Sequence, residues 1–407
     1  MPAPHNSATA TRSYNVVGTI KDVSDFITNL DPDKTKLTSM FGKTTITGTK
    51  HEWLSDSQRP AMDNAQEEVF EFDTMKAAPR RWLYNYVQQF VTGYNVSDIT
   101  QAIKKYGVRD EKAYQFLKAG KEIASDLELA IIKNKVATPL AEGVKGKFGG
   151  IPYFLDADIA VSAIAANALT IANHGFVTGD AVLVRGGTGT EENKQYFVAV
   201  KDANTFFLYE TPEAAMNSMD DLNTNAPKST GTGAVVVSGT GVKVSFQNCI
   251  DAAKLKKGAG VLTFDLLNDA LQMAWTRGGN PGVAIMSAKN KRGCAGFTQG
   301  AVRTMASSEH SVSDYLDVIE TDFGSLRLEA HRMYSDDVID ILELQYWKLG
   351  YLIPFHTENP PRTGTYEQRV ITGVASLECT APSANARIKG LNGKVAPKPV
   401  VIEQVTP

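Results

Sequence analysis

The run His51-Glu52-Trp53-Leu54-Ser55 opens as a zinc-hydrolase helix would, with a histidine beside a glutamate. Two imidazoles can share a zinc from one helical face only if a second histidine follows four positions on, and Ser55 stands there. Residues 143–150, Gly-Val-Lys-Gly-Lys-Phe-Gly-Gly, contain the Gly-Lys pair of a phosphate loop. Phe148 occupies the place of the hydroxyl that would hold magnesium, and no apolar strand leads in. The glycine-rich run from Arg185 to Lys194 lies between β-type segments and reads as a hairpin tip. The run from Asp31 to Lys36 has alternating acids but lacks the glycine and closing glutamate of a calcium loop. No nucleophile elbow and no Cys–His pairing stands out. Cys249, Cys294 and Cys379 are too scattered for a zinc site or a disulfide framework and read as buried thiols. These residues predict a structural protein with no enzyme activity, no cofactor and no metal.

Composition points the same way. The 407 residues are 43% hydrophobic and 21% charged, enough for two or three compact units. Lys+Arg 42 nearly balances Asp+Glu 45, so no basic excess drives binding to nucleic acid through its phosphates. The basic clusters at 254–257 and 289–292 read as solvated loops. The first fifteen residues lack the basic-then-apolar order of a secretory signal. The uncharged run Ile159 to Gly179 contains Ser162, Asn167, Thr170, Asn173 and His174, too polar for a bilayer span, and no membrane role is expected.

The element pattern is α+β. Residues 1–60 read as an extended N-terminal arm and 61–100 as a long hairpin region. In the hairpin Phe70 and Phe72 on one strand would face Trp82, Tyr84 and Tyr86 on the other. Residues 74–79 would form its tip, and Glu67, Glu68, Glu71 and Asp73 would lie opposite Arg80 and Arg81. A helix of roughly seven turns is predicted from Asp110 to its basic end at Lys133 and Lys135. Ala113, Phe116, Leu117, Gly120, Ile123, Ala124, Leu127 and Ile131 make its apolar face, and Lys112, Lys118, Lys121, Glu122, Asp126 and Glu128 its solvated faces. It belongs to a 101–158 unit. At 159–246 the composition becomes β-rich, the pattern of a separate all-β module. Tyr196, Phe197, Phe206, Phe207 and Tyr209 would line that module's core rather than a binding face. Mixed α/β sequence resumes over 247–392. Thr263 would cap a helix there, and Asp337 to Leu352 would form a buried helix or strand. An extended tail is expected over 393–407.

Seven segments in this order resemble the major head proteins of tailed bacteriophages. They are HEWLSD (51–56), RRWLYNYVQQFVTGYNVS (80–97), GVRDEKAYQFLKAGKEIASDLELAII (107–132), LNDALQMAWTRGGNPGVAIMS (267–287), TDFGSLRLEAHRMY (321–334), YWKLGYLIPFHTENPPRTG (346–364) and TAPSANARIKGL (380–391). The resemblance implies the Hong Kong 97-type capsid fold: an N-arm, an E-loop hairpin, a spine helix, and peripheral and axial domains. Residues 159–246 depart from the family pattern and read as an insertion. The resemblance further implies self-assembly into hexamers and pentamers of an icosahedral shell enclosing double-stranded DNA without reading its sequence. The virion would be the location, after assembly in the host cytoplasm, and portal, scaffold and cement proteins the partners. Arg80, Arg81, Trp82, Tyr84 and Tyr86 of the E-loop become the candidate inter-subunit contacts, and Lys76 at its tip a candidate for crosslinking. The competing reading is a phage surface or tail carbohydrate-binding protein that uses the β-rich module.

Overall fold

The computed structural model describes residues 35–56, 68, 81–103, 110–156, 158–172, 174, 176, 178–191, 194–221, 226–227, 233–239, 241–245, 248–254, 260–298, 318–362 and 364–395. The expectations for residues 1–34, the 66–73 strand, the 74–79 tip, Lys76, the lysines at 256–257 and the tail beyond 395 lie outside them.

The chain opens with α1 (Lys36–Met40), β1 (Gly42–Thr45), β2 (Lys50–Ser55), β3 (Arg81–Tyr86), β4 (Gln88–Ser97), α2 (Asp98–Ala102), α3 (Glu111–Lys133) and α4 (Ile151–Leu155). The long helix α3 starts where its cap dictates: the Asp110 carboxylate accepts from the amides of Lys112 and Ala113. Its apolar stripe is buried only from Ala119 onward, through Ile123, Leu127, Ala130 and Ile131, whereas Leu117 is 66% exposed. The expected solvated face is also corrected at one position, because Glu128 is fully buried. After α3 the chain doubles back so tightly that a Cβ on Gly150 would lie 2.3 Å from the Ile131 carbonyl oxygen. Only glycine fits that approach.

The next elements are β5 (Asp158–Ala160), β6 (Ala163–Ala165), β7 (Ala168–Thr170), β8 (Ala181–Arg185), β9 (Gln195–Val200), β10 (Thr205–Tyr209), α5 (Pro212–Asn217), β11 (Met219–Asp221), β12 (Ala226–Pro227) and β13 (Lys243–Ser245). Seven of these strands form one sheet in the order β5-β13-β8-β9-β10-β7-β6. Its two edge strands are consecutive in the chain. Val161 donates to the Val242 carbonyl and Ser162 to the Thr170 carbonyl, each at 2.9 Å, so one run of chain switches partners and the sheet closes on itself. Closure removes the free edges. Inside the barrel lie Leu169, Val182, Val184, Tyr196, Val198, Phe206, Leu208 and Val244, all buried.

The remaining elements are β14 (Asn248–Asp251), β15 (Val261–Leu262), α6 (Phe264–Thr276), β16 (Val283–Met286), α7 (Ala288–Cys294), β17 (Val318–Thr321), β18 (Gly324–Ala330), β19 (Ile339–Leu342), β20 (Trp347–Glu358), β21 (Tyr366–Cys379), β22 (Ala386–Lys389) and β23 (Lys394–Val395). The ambiguous segment from Asp337 is therefore strand, β19 and then β20. A four-stranded sheet, β1-β20-β21-β4, carries α3 on one face; a six-stranded sheet, β14-β22-β19-β16-β18-β17, packs against α6. Thr263 caps α6 through the Leu266 amide. The first core closes around Trp347, which is fully buried and stacked on Phe41 at 5.5 Å, with its indole N–H donating to Asn385.

Candidate assembly surface

β2 and β3 run antiparallel from Lys50 opposite Tyr86 to Ser55 opposite Arg81, and residues 56–80 join their far ends. Among the described residues, 81–86 pair with Lys50–Ser55, while the expected partner run 66–73 lies outside them. The run 80–90 is not one strand: the chain breaks at Val87 and enters the four-stranded sheet as β4. The supposed arm through residue 60 is likewise shortened, since α1, β1 and β2 belong to the folded body. Alternation assigns each strand residue a face but names no partner, and His51–Ser55 alternates as well as 66–73 does.

The two faces of the stem differ sharply. Trp53 (8% exposed) and Asn85 (fully buried) lie on the inner one. The Trp53 indole N–H donates to the Cys379 carbonyl at 3.0 Å, and His51 meets Glu378 at 3.1 Å. The Asn85 amide nitrogen donates to the Gly149 and Leu377 carbonyls, while its oxygen accepts from the Gly149 amide at 2.7 Å. A saturated buried amide of this kind holds the stem to the end of β21 in one register.

On the outer face Leu54, Glu52 and Lys50 lie opposite Trp82, Tyr84 and Tyr86 in turn. Trp82 is 64% exposed, Leu54 47% and Tyr84 41%. Lys50 Nζ sits 4.5 Å from the Tyr84 ring centroid, and the Tyr84 and Tyr86 rings are 5.7 Å apart. Burial, and then the charge and hydrogen bond of Tyr84, push the Tyr153 hydroxyl up to about 12. The expected residues Trp82, Tyr84 and Tyr86 thus share a face. Arg80 lies outside the described residues, and Arg81 is placed only by its backbone pairing with Ser55. Leu54 was missed, although its position one residue after Trp53 puts the two on opposite faces.

A second anchor holds the start of the body. Thr35 gives α1 no side-chain cap. The Glu128 carboxylate, reaching across from α3, accepts instead from the Leu37 amide at 2.7 Å, the Thr38 amide at 3.0 Å and the Thr38 hydroxyl. His331 Nδ1 accepts from the Met333 amide, which places its proton on Nε2, where it is donated to Glu128 at 3.1 Å. Burial raises the Glu128 pKa, but His331 and the α1 donors outweigh it and hold the carboxyl below its usual range.

The motifs that fail in sequence have structural uses. Phe148 is a core residue, all three cysteines are buried thiols, and burial pushes Cys249 and Cys294 up to about 12. Among the described residues no group of His, Cys, Asp or Glu could hold a metal, and no helix is long and apolar enough to cross a membrane.

The family model for the SU10 major capsid protein matches residues 6–392. The chain belongs to that family. The major capsid protein of Escherichia phage Phieco32 is 30% identical over 127 residues, 31% of this capsid-family chain and 36% of the curated relative, so the match spans about a third of the latter. Among solved structures, the capsid of a native GTA particle covers 95% of the chain (99% of its own) at 10% identity and TM-score 0.50. The cyanophage A-1(L) capsid covers 93% (98% of its own) at 9% identity and TM-score 0.51. The fold of this family member is accordingly that of phage capsids of the Hong Kong 97 type.

Proposed function

We propose that the chain is the structural subunit of a phage head, self-associating into pentamers and hexamers that close into an icosahedral shell around double-stranded DNA, without catalysing a reaction. One observation carries this reading: a strand pair fixed to the body on one face presents Trp82, Leu54 and Tyr84 to solvent on the other. Exposed aromatics on a rigid scaffold are the anchors that protein interfaces use. The stem, with Arg81 at its far end, lies across an adjacent subunit. Purified chain is expected to give rings or shells by negative-stain microscopy; a compact monomer by light scattering, under conditions that permit head assembly, would overturn the reading.

Residues 159–246 are an inserted unit on the outer surface of the shell. The closed barrel with its own core supports this, as does the pairing of Asp158 with Ser245, which sets the two chain crossings side by side. In intact particles an amine-reactive label is expected to reach exposed Lys201 before Lys194, which is bound to Glu210 at 2.9 Å. Failure to label either in full heads would make the barrel an internal element. The carbohydrate-binding alternative loses its support, because Tyr196, Phe206, Phe207 and Tyr209 are at most 2% exposed.

A further inference from the structure

Four charged side chains converge where the chain passes into and out of the barrel. Asp156 follows α4, Asp158 begins β5, Arg185 ends β8, and Lys389 ends β22 of the six-stranded sheet. Arg185 is 2% exposed, an unusual place for a guanidinium. It donates to the Asp158 carboxylate and to the carbonyl of Cys249, which lies on β14 just beyond the barrel's exit. Lys389 is bound to Asp156 and lies 3.3 Å from Asp158, and Lys135 approaches Asp156 at 3.0 Å from the end of α3. The Cys249 thiol, 3.6 Å from Asp156, completes the cluster. β14 and β22 are themselves paired, with Cys249 opposite Arg387.

We propose that Asp156, Asp158, Arg185 and Lys389 form a clasp that fixes the orientation of the barrel on the shell fold, making the barrel a rigid part of the subunit rather than a tethered one. The proposal rests on the reading of 159–246 as an inserted unit. Its physical basis is directional. Two crossings and one strand pair would let a barrel rock about them, and apolar contacts alone resist sliding poorly because they lack direction. Buried ion pairs add little net stability over an apolar filling of the same volume, but each holds its partners in one geometry and penalises any other. Here the bonds tie barrel and crossing residues to three places in the shell fold: Asp156 and Asp158 to Lys389 on β22, Arg185 to β14, and Asp156 also to Lys135 just past α3. Rotation of the barrel about any one of these would break the others and leave buried charge uncompensated.

The test is hydrogen exchange on the full-length chain with Lys389→Met, Asp158→Asn and Lys389→Arg. Loss of the clasp is expected to raise exchange at the amides of 158–160 and 243–249 by about tenfold or more, as a local opening does. Amides in β9 and β10 keep the wild-type rate, and Lys389→Arg, which retains the charge, stays near wild type throughout. Asp158→Asn serves if Lys389→Met fails to fold. Unchanged exchange at the crossings in Lys389→Met or Asp158→Asn overturns the clasp. Equal acceleration of the barrel strands also overturns it, since the cluster would then support barrel folding rather than placement. The underlying reading fails separately: if the wild-type barrel and both sheets exchange as one cooperative unit, 159–246 is not a distinct insertion.

Discussion

The β2–β3 stem and the barrel are both excursions from the two-sheet body, and they complete their surfaces in opposite ways. The barrel closes its own edges and buries its aromatics, so Phe206 and Tyr196 have no exposed face left to offer. The stem is a single strand pair with one face bonded to β21 and the other, carrying Trp82, left open. A two-stranded ribbon is marginal alone. The stem draws its rigidity from the body behind it and leaves its other face uncovered. One excursion is complete within its chain; the other keeps an aromatic face open.

The largest effect that could break this contrast is on assembly. Leu54→Ala with Trp82→Ala is expected to abolish rings and shells in microscopy while the thermal midpoint stays within a few degrees, since exposed positions contribute little to folding (roughly 0.5 kcal/mol each). Normal particles from that variant would show that the open face meets nothing. In the barrel the order reverses. Phe206→Ala should cost about 3–5 kcal/mol of barrel stability and raise exchange in β7 to β10, with assembly preserved. Loss of assembly would mean that the barrel is not complete in itself.

A smaller effect concerns the body that carries both excursions. Glu128 is held below its usual pKa, so its contribution is fully present above the unfolded value near ~4.3 and is lost as pH falls through the depressed folded value. Acidification through that window should free α1 from α3, seen as proteolysis near residues 35–47 before global unfolding. Glu128→Gln should show that sensitivity already at neutral pH, at a cost of about 1–3 kcal/mol. Smallest of all is Gly120→Ala on α3. A Cβ there meets nothing within 4 Å, so about 0.5–1 kcal/mol of added stability is expected by calorimetry, with both excursions unaltered.

What the residues disclosed beforehand follows from what periodicity can encode. The long helix was legible because Asp110 caps it and Ile123, Leu127 and Ile131 repeat at helical steps. Glu128 was misread on that same helix, because a pattern treats every carboxylate as solvated and cannot see donors arriving from Leu37, Thr38 and His331. The face shared by Trp82, Tyr84 and Tyr86 was legible from alternation. Their partner strand was not, since pairing depends on which apolar face finds a core, and Trp53 does. The barrel's strands showed in composition. Its closure did not, because it turns on Val161 and Ser162 bonding to different neighbours. The charged clasp was invisible for a similar reason: Asp158, Arg185 and Lys389 are scattered in the chain and meet only once the barrel is docked.

The pairing of Asp158 with Ser245 has a practical consequence. Directly opposed residues in an antiparallel pair stand about 4.5–5.5 Å apart. That gap is a socket. A foreign domain whose own termini end side by side could be spliced there by cutting the gene twice, and every copy in a particle would then carry it. A cargo with a basic residue near its first strand, able to satisfy Asp158 as Arg185 does, would sit upright, whereas a neutral one would swivel. The socket would thus set the direction in which a grafted antigen or enzyme points.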